Sequence, residues 1–168
     1  MMKLDFRKLK HKPRESEVFY LRTKGDDNLL AEAGGKFLAP LDIEMVVENT
    51  GTIFTGRGTL KTSLQLSCSR CLREYPVPLL IDFEVALVEN DLGDHFSADE
   101  GFIFFKGDEA DIRSGVEEAV FMAIPISPLC REDCLGLCPI CGRDQNIATC
   151  SCQKESLDPR WDKLRNLE

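Results

Sequence analysis

The stretch TIFTGRGTLKTSLQLSCSRCLREYPVPLLIDFEVALV, from Thr52 to Val88, decides the fold. Leu60, Thr62, Leu64, Leu66 and Cys68 share one parity, and Lys61, Ser63, Gln65 and Ser67 the other. After the CSRC segment, Val77, Leu79, Ile81, Phe83, Val85 and Leu87 again share a parity. Period-two alternation puts each set on one face of a strand, so both runs read as long strands with one buried side. Cys68 and Cys71 then sit at the tip of the hairpin that joins them. Gly56 and Gly58 predict a bulge or bend in the first strand. Upstream, Ile43, Met45 and Val47 alternate with Asp42, Glu44 and Glu48, and Asn49-Thr50-Gly51 forms a turn. Three such runs with short connections predict an antiparallel meander.

Working outward, residues 1–35 read as irregular, with short extended pieces around Met2–Phe6 and Val18–Leu21. Residues 89–101 form an acidic loop, and Phe102–Phe105 reads as one more strand. Asp111 is placed to cap a helix from about Ile112 to Ile124, with Ile112, Val116, Ala119, Val120 and Ala123 on one face. Gly115 weakens that helix. Asp158-Pro159 starts a C-terminal helix whose stripe Leu157, Trp161, Leu164 and Leu167 predicts docking on the core. The fold class expected is α+β. A β-rich domain with a basic tail covers 1–126, and a cysteine-rich segment with the last helix covers 127–168.

Composition narrows the function. Hydrophobic residues at 43% and charged residues at 30% of 168 exclude a globally disordered chain. No apolar run is long enough to span a membrane, and residues 1–14 hold no signal-peptide core, so a cytoplasmic location is expected. Lys3, Arg7, Lys8, Lys10, Lys12 and Arg14 face only Asp5 in that segment, a balance of +5; the rest of the chain carries −13 within a net charge of −8. An acidic chain does not wrap nucleic acid by charge alone, so any RNA contact should be local.

The chemistry lies in eight cysteines: Cys68 and Cys71, then Cys130, Cys134, Cys138 and Cys141 in CREDCLGLCPICG, then Cys150 and Cys152 in CSC. A C-x-x-C spacing lets one tight turn aim two thiolates at a tetrahedral metal while backbone N–H groups donate to sulfur. In CPICG, Pro139 stiffens the turn and Gly142 takes the positive φ that closes it. Cys150 and Cys152, two apart on an extended segment, point to the same side. A disulfide framework needs an oxidising compartment, and a thioredoxin-like pair needs to open a helix after a parallel strand. Six thiols in a polar stretch are not buried hydrophobes. Four thiolates also hold iron–sulfur clusters, but zinc is the metal these spacings favour.

Two partitions stay open. In one, Cys138, Cys141, Cys150 and Cys152 hold one zinc while Cys68, Cys71, Cys130 and Cys134 hold another. In the other, the two C-x-x-C turns meet at a single zinc. Either way four thiolates saturate the ion and leave no position for an activated water, so the role is structural. The histidines, His11 and His95, lie far in sequence from the cysteines. GRGTLK at Gly56–Lys61 lacks the glycine spacing of a phosphate loop. Asp91, Asp94, Asp99 and Glu100 read as a solvated acidic loop. No nucleophile, base and orienter assemble, and no enzyme or small-molecule substrate is expected.

The order of these features carries a resemblance. A β region is followed by the CSRC tip, a helix ending in the Pro125–Pro128 segment, Pro128-Leu129-Cys130, CLGLCPICG, a CSC pair, and Asp158-Pro159-Arg160 with Trp161, Leu164 and Leu167. This resembles the YceD family, the large ribosomal RNA subunit accumulation proteins. The resemblance implies a non-catalytic role in accumulation or processing of large-subunit ribosomal RNA during ribosome assembly, with the cysteines as metal ligands. Arg70 and Arg73 beside CSRC, and Arg143 after CPICG, are the expected RNA contacts, with the basic tail adding phosphate contacts. The alternative is a zinc-stabilised adaptor whose acidic surface recruits a basic ribosomal or other protein without touching RNA.

Overall fold

In the computed structural model, which describes residues 2–31, 34–90 and 101–152, the quoted stretch forms a single hairpin. Its first arm, β5, runs Phe54–Ser67, and its second, β6, runs Glu74–Glu89. The pairing is unbroken from Phe54↔Leu87 to Ser67↔Glu74. Leu60, Leu64 and Leu66 on one arm and Phe83, Val85 and Leu87 on the other are buried, as their shared parity requires. A strand at Leu41–Asn49, β4, pairs antiparallel with β5, from Asp42↔Lys61 to Asn49↔Phe54. The bulge expected at Gly56 and Gly58 is absent, because register runs straight through both. Their role is steric. A Cβ on Gly58 would lie 2.6 Å from the Glu44 carbonyl oxygen, and one on Gly56 would lie 2.6 Å from Met45 Cε. The glycines let β4 and its Met45 close on the sheet.

Three further features depart from the expectation. The segment Ser16–Thr23 is a full edge strand, β2, paired antiparallel with β4 over all eight residues. With the short strand Lys36–Phe37, β3, on β5, and Phe102–Phe105, β7, on β6, the sheet has six strands. The β6–β7 pairing is parallel, from Ala86↔Phe102 to Glu89↔Phe105, so the sheet is mixed. Finally, the basic N-terminal segment is no tail. Lys3–Asp5, β1, pairs with Glu109–Asp111, β8, and Met2, Leu4, Phe6 and Leu9 are buried. Phe6 stacks on Phe54 at 4.9 Å between ring centroids and meets Phe19 and Phe105 edge-on. Burying a Phe side chain yields about 1.5–3 kcal/mol, enough to hold the segment down despite its charges.

The helix α1 spans Arg113–Ala123 and buries Ile112, Val116 and Val120 against the sheet. Asp111 sits one place further out than a cap, and its carboxylate accepts from the Arg113 N–H at 3.0 Å. Gly115 has a positive reason to be there. A Cβ at that point would lie 2.6 Å from Val85 Cγ1, so the glycine sets how close the helix comes to β6. Among the described residues, no helix is long and apolar enough to cross a membrane. The expected C-terminal helix with Leu157, Trp161, Leu164 and Leu167, and the acidic Asp91, Asp94, Asp99 and Glu100, lie outside the described residues, as does His95.

Candidate metal centre

The hairpin β5–β6 ends in a turn with two defining bonds. The Leu72 N–H donates to the Cys68 carbonyl at 2.9 Å, and the Cys68 N–H donates to the Arg73 carbonyl at 2.9 Å. The CPICG turn repeats this arrangement. Gly142 N–H donates to the Cys138 carbonyl at 2.9 Å, and Cys138 N–H to the Arg143 carbonyl at 2.8 Å. The residues just outside also correspond, since Ser67 pairs with Glu74 in the first turn and Leu137 bridges Asp144 in the second. Both turns need positive φ after the second cysteine: 60° at Leu72 and 71° at Gly142. CSRCLR and CPICGR are thus two copies of one device, although only the second carries the glycine that the backbone favours.

Each turn receives two more thiols. The chain leaving α1 through Pro125 and Pro128 reaches the first turn, where Ser69 N–H donates to the Pro128 carbonyl at 2.8 Å. This brings Cys130 and Cys134 to Cys68 and Cys71, with Cys68 Sγ 3.8 Å from Cys134 Sγ and Cys71 Sγ 3.7 Å from Cys130 Sγ. Cys138 and Cys141 gather Cys150 and Cys152 in the same way. Within each group of four, the sulfur atoms all lie within 4.8 Å of one another. No disulfide joins any of them. The grouping is the long-range and local partition, not a meeting of the two C-x-x-C turns at one ion.

The donor set fits a metal. Sulfurs about 2.3 Å from a tetrahedral zinc stand about 3.8 Å apart, which matches the closest sulfur pairs of the first group. The electrostatics point the same way. Burial raises the Cys68 thiol, but N–H groups of Cys130, Cys71 and Arg70 outweigh it and bring it down to about 6. The N–H groups of Cys141 and Ile140 lower Cys138 to about 6. Burial pushes Cys130 up to about 12, and the neighbouring Cys141 thiol pushes Cys152 up to about 12. Each group therefore holds one thiol that ionises readily beside at least one that resists ionisation, because like charges do not crowd together without a cation between them. A divalent ion supplies that charge.

The first group is the drier one. Cys68, Cys71 and Cys134 are buried, with Tyr75, Leu129 and Leu137 packed over them. In the second group Cys138 is buried, Cys150 and Cys152 are half-buried and Cys141 is exposed. A cleft of about 200 Å³ lined by Leu135, Pro139, Ile140 and Thr149 opens on Cys138, Cys150 and Cys152.

The arginines expected to face RNA have intramolecular partners. Arg70 Nη1 donates to the Cys134 carbonyl at 2.8 Å, fastening the first turn to the cysteine loop. Arg73 pairs with Asp144 at 3.4 Å, and Arg143 Nη1 donates to the Thr149 carbonyl at 3.4 Å. Sequence reasoning missed Asp144 and Asn146. Asp144 Oδ1 accepts from the Asn146 N–H at 2.8 Å, a bond that holds its carboxyl below the usual range. Their Asp-x-Asn spacing is the signal that a side chain would fold back on the backbone there.

The chain is similar to an uncharacterized protein of Mycobacterium tuberculosis, 33% identical over 131 residues that make up 75% of this chain and 61% of the relative. It is similar to an uncharacterized protein of Mycobacterium leprae at 24% identity over 130 residues, 77% of this chain and 59% of that one. It is also similar to the chloroplastic large ribosomal RNA subunit accumulation protein YCED homolog 1 of Arabidopsis thaliana, 24% identical over 66% of this chain and 43% of the plant protein. The matched region thus spans less than two thirds of these relatives. No solved structure matches. Residues 56–168, from the hairpin through both cysteine groups, match the family described as large ribosomal RNA subunit accumulation protein YceD. The chain belongs to the YceD family.

Proposed function

We propose that this chain is a non-catalytic factor in the accumulation or processing of large-subunit ribosomal RNA, acting in the cytoplasm, with one structural zinc in each cysteine group. Family membership supports the RNA role. The observation that carries the structural role is that, among the described residues, each group offers four sulfurs and no other ligand. Four thiolates would saturate a zinc ion, so its contribution is folding energy, on the order of 10 kcal/mol per centre, rather than an activated water. Cys68, Cys71, Cys130 and Cys134 would staple the hairpin tip to the chain after α1. Cys138, Cys141, Cys150 and Cys152 would order a loop with little apolar content.

The test is depletion of the protein in its host, with the ratio of large- to small-subunit ribosomal RNA as readout. The ratio should fall and recover with the wild-type chain. An unchanged ratio removes the RNA role. Elemental analysis should give two zinc ions per chain and no reactive thiols; iron in place of zinc, or disulfides, overturns the metal assignment.

A further inference from the structure

The end of the sheet remote from the cysteines has a different character. β5 carries the metal turn after Ser67, while its start at Phe54 lies beside the N-terminal segment. Fourteen residues separate these ends, about 45 Å of strand. At the start, residues 7–14 form an ordered loop. Lys10 N–H donates to the Phe6 carbonyl at 2.8 Å, Lys12 N–H to Leu9 at 3.0 Å, and Arg14 N–H to Asn49 at 2.6 Å. The buried Asn49 amide donates to the Leu9 and Lys10 carbonyls at 2.9 and 3.3 Å. Phe6 and Leu9, both buried, anchor the loop from beneath.

This scaffold displays Lys8, His11, Lys12 and Arg14 to solvent. Lys10 pairs with Glu89 and Lys12 with Glu15. Lys8 and Arg14 have no ion pair among the described residues. Arg14 holds φ at 68°, a conformation for which glycine or asparagine is the ordinary choice. An outlier of this kind, fixed by a backbone bond to Asn49, sets where the Arg14 side chain leaves the loop. Between the loop and the β4–β5 turn lies a cleft of about 310 Å³ lined by Lys10, His11, Asn49, Thr52 and Glu89 among others. Among the described residues its one carboxylate, Glu89, is already paired with Lys10.

The cysteine end offers a polyanion much less. Arg70, Arg73, Arg131 and Arg143 stand there with Glu132, Asp133 and Asp144. Each loaded centre of four thiolates and one divalent ion keeps about two formal negative charges. That end is therefore net negative, and its arginines are engaged within the protein.

We propose that the ordered basic loop Lys8–Arg14, with the β4–β5 turn beside it, is the surface that grips the phosphate backbone of RNA. This rests on the role in large-subunit ribosomal RNA and names the face that performs it. Because the loop is already folded, binding loses little conformational entropy, and two free cations beside a paired cleft suit a local contact.

The experiment uses the full, metal-loaded chain and labelled fragments of large-subunit ribosomal RNA, with affinity followed by anisotropy across a salt series. The variant Lys8→Ala with Arg14→Gly removes both charges, and glycine suits the φ at 14. The control, Arg57→Ala with Lys61→Ala, removes the same charge from the outer sheet face. The loop variant should bind about tenfold more weakly near 0.1 M salt, with a salt slope lower by about 1.5. The control should stay within about twofold. Equal affinity of loop variant and wild type, equal loss in both pairs, or loss of an acidic protein partner with RNA affinity unchanged each overturn the inference. If the loop variant also restores ribosomal RNA in depleted cells, the inference falls while the function stands. If depletion leaves the ribosomal RNA ratio unchanged, the function itself falls.

Discussion

The Asn146 amide nitrogen lies 3.5 Å from Cys134 Sγ, so a residue of the loop between Cys141 and Cys150 donates to a sulfur of the other cysteine group. Its carbonyl oxygen accepts from the Leu135 N–H at 2.8 Å and from Arg131 Nη2 at 2.7 Å. Asp144, joined to Asn146, also pairs with Arg73 of the first turn. Metal at the second centre would hold this loop in place, and the loop in turn supplies a donor to the first group. Groups that orient metal ligands typically matter 10- to 100-fold in affinity. Asn146→Ala should therefore weaken metal at the first centre by about tenfold or more, although Asn146 is no ligand. Chelator competition on the wild type and the variant measures it.

Unequal exposure predicts an order of metal loss. The first centre is sealed by Tyr75, Leu129 and Leu137, while Cys141 is exposed and a cleft reaches Cys150 and Cys152. A chelator of moderate strength should strip the second centre first and leave the first loaded. Thiol labelling with peptide mapping reads this directly: Cys141, Cys150 and Cys152 should react before Cys68 and Cys71. Simultaneous labelling of all eight would show that the Asn146 bridge makes the two centres a single cooperative unit.

The sequence disclosed β4, β5 and β6 because each buries one face, so alternation survives in the residues themselves. β2 was legible only as the short extended piece Val18–Leu21, because it is apolar on both sides there: Phe19 and Leu21 pack on the core, while Val18 and Tyr20 face solvent. The N-terminal segment alternates, with Met2, Leu4 and Phe6 against Lys3, Asp5 and Arg7, and so reads as extended, but its charge run hid that Met2, Leu4, Phe6 and Leu9 anchor it in the core. The parallel partnership of β7 with β6 depends on the path of the connection, and no residue pattern within β7 records that path. In the site, cysteine spacing identified every sulfur now grouped. It could not choose the partition, because Cys130 and Cys134 reach the first turn only through the packing of α1. Asn146 was silent for a similar reason: its importance comes from Cys134, twelve positions away in sequence.

The duplicated turn invites an exchange of residues at the positive-φ position. Leu72 occupies it in the first turn and Gly142 in the second. A side chain in the left-handed region costs about 1–2 kcal/mol, and Leu72 is largely exposed, so little packing is lost by removing it. Leu72→Gly should stabilise the metal-loaded protein by about 0.5–1 kcal/mol once the greater freedom of unfolded glycine is subtracted. Gly142→Ala should destabilise it by about 1 kcal/mol, through strain alone, because no atom lies within 4 Å of the added Cβ. Denaturant melts of the loaded protein test both. Destabilisation by Leu72→Gly would mean that the leucine side chain contributes packing that outweighs its backbone strain.

The thiols also predict how the metal-free protein responds to pH. Cys68 and Cys138 sit at about 6 against an ordinary value of 9.0. A group depressed in the folded state adds stability that is fully present above its unfolded value and lost as pH falls through its folded one. Metal-free stability should therefore rise from about pH 6 to about pH 9. Cys130 and Cys152, raised to about 12, act in the opposite direction. Their protons favour the fold below the unfolded value, and that contribution disappears as pH climbs from about 9 towards 12. Chelated protein should accordingly be most stable near pH 9, whereas loaded protein, whose thiols are already deprotonated on the metal, should show no such maximum. Thermal melts with and without chelator between pH 6 and pH 10.5 make the comparison. A maximum present in both states would place its origin outside the cysteine groups.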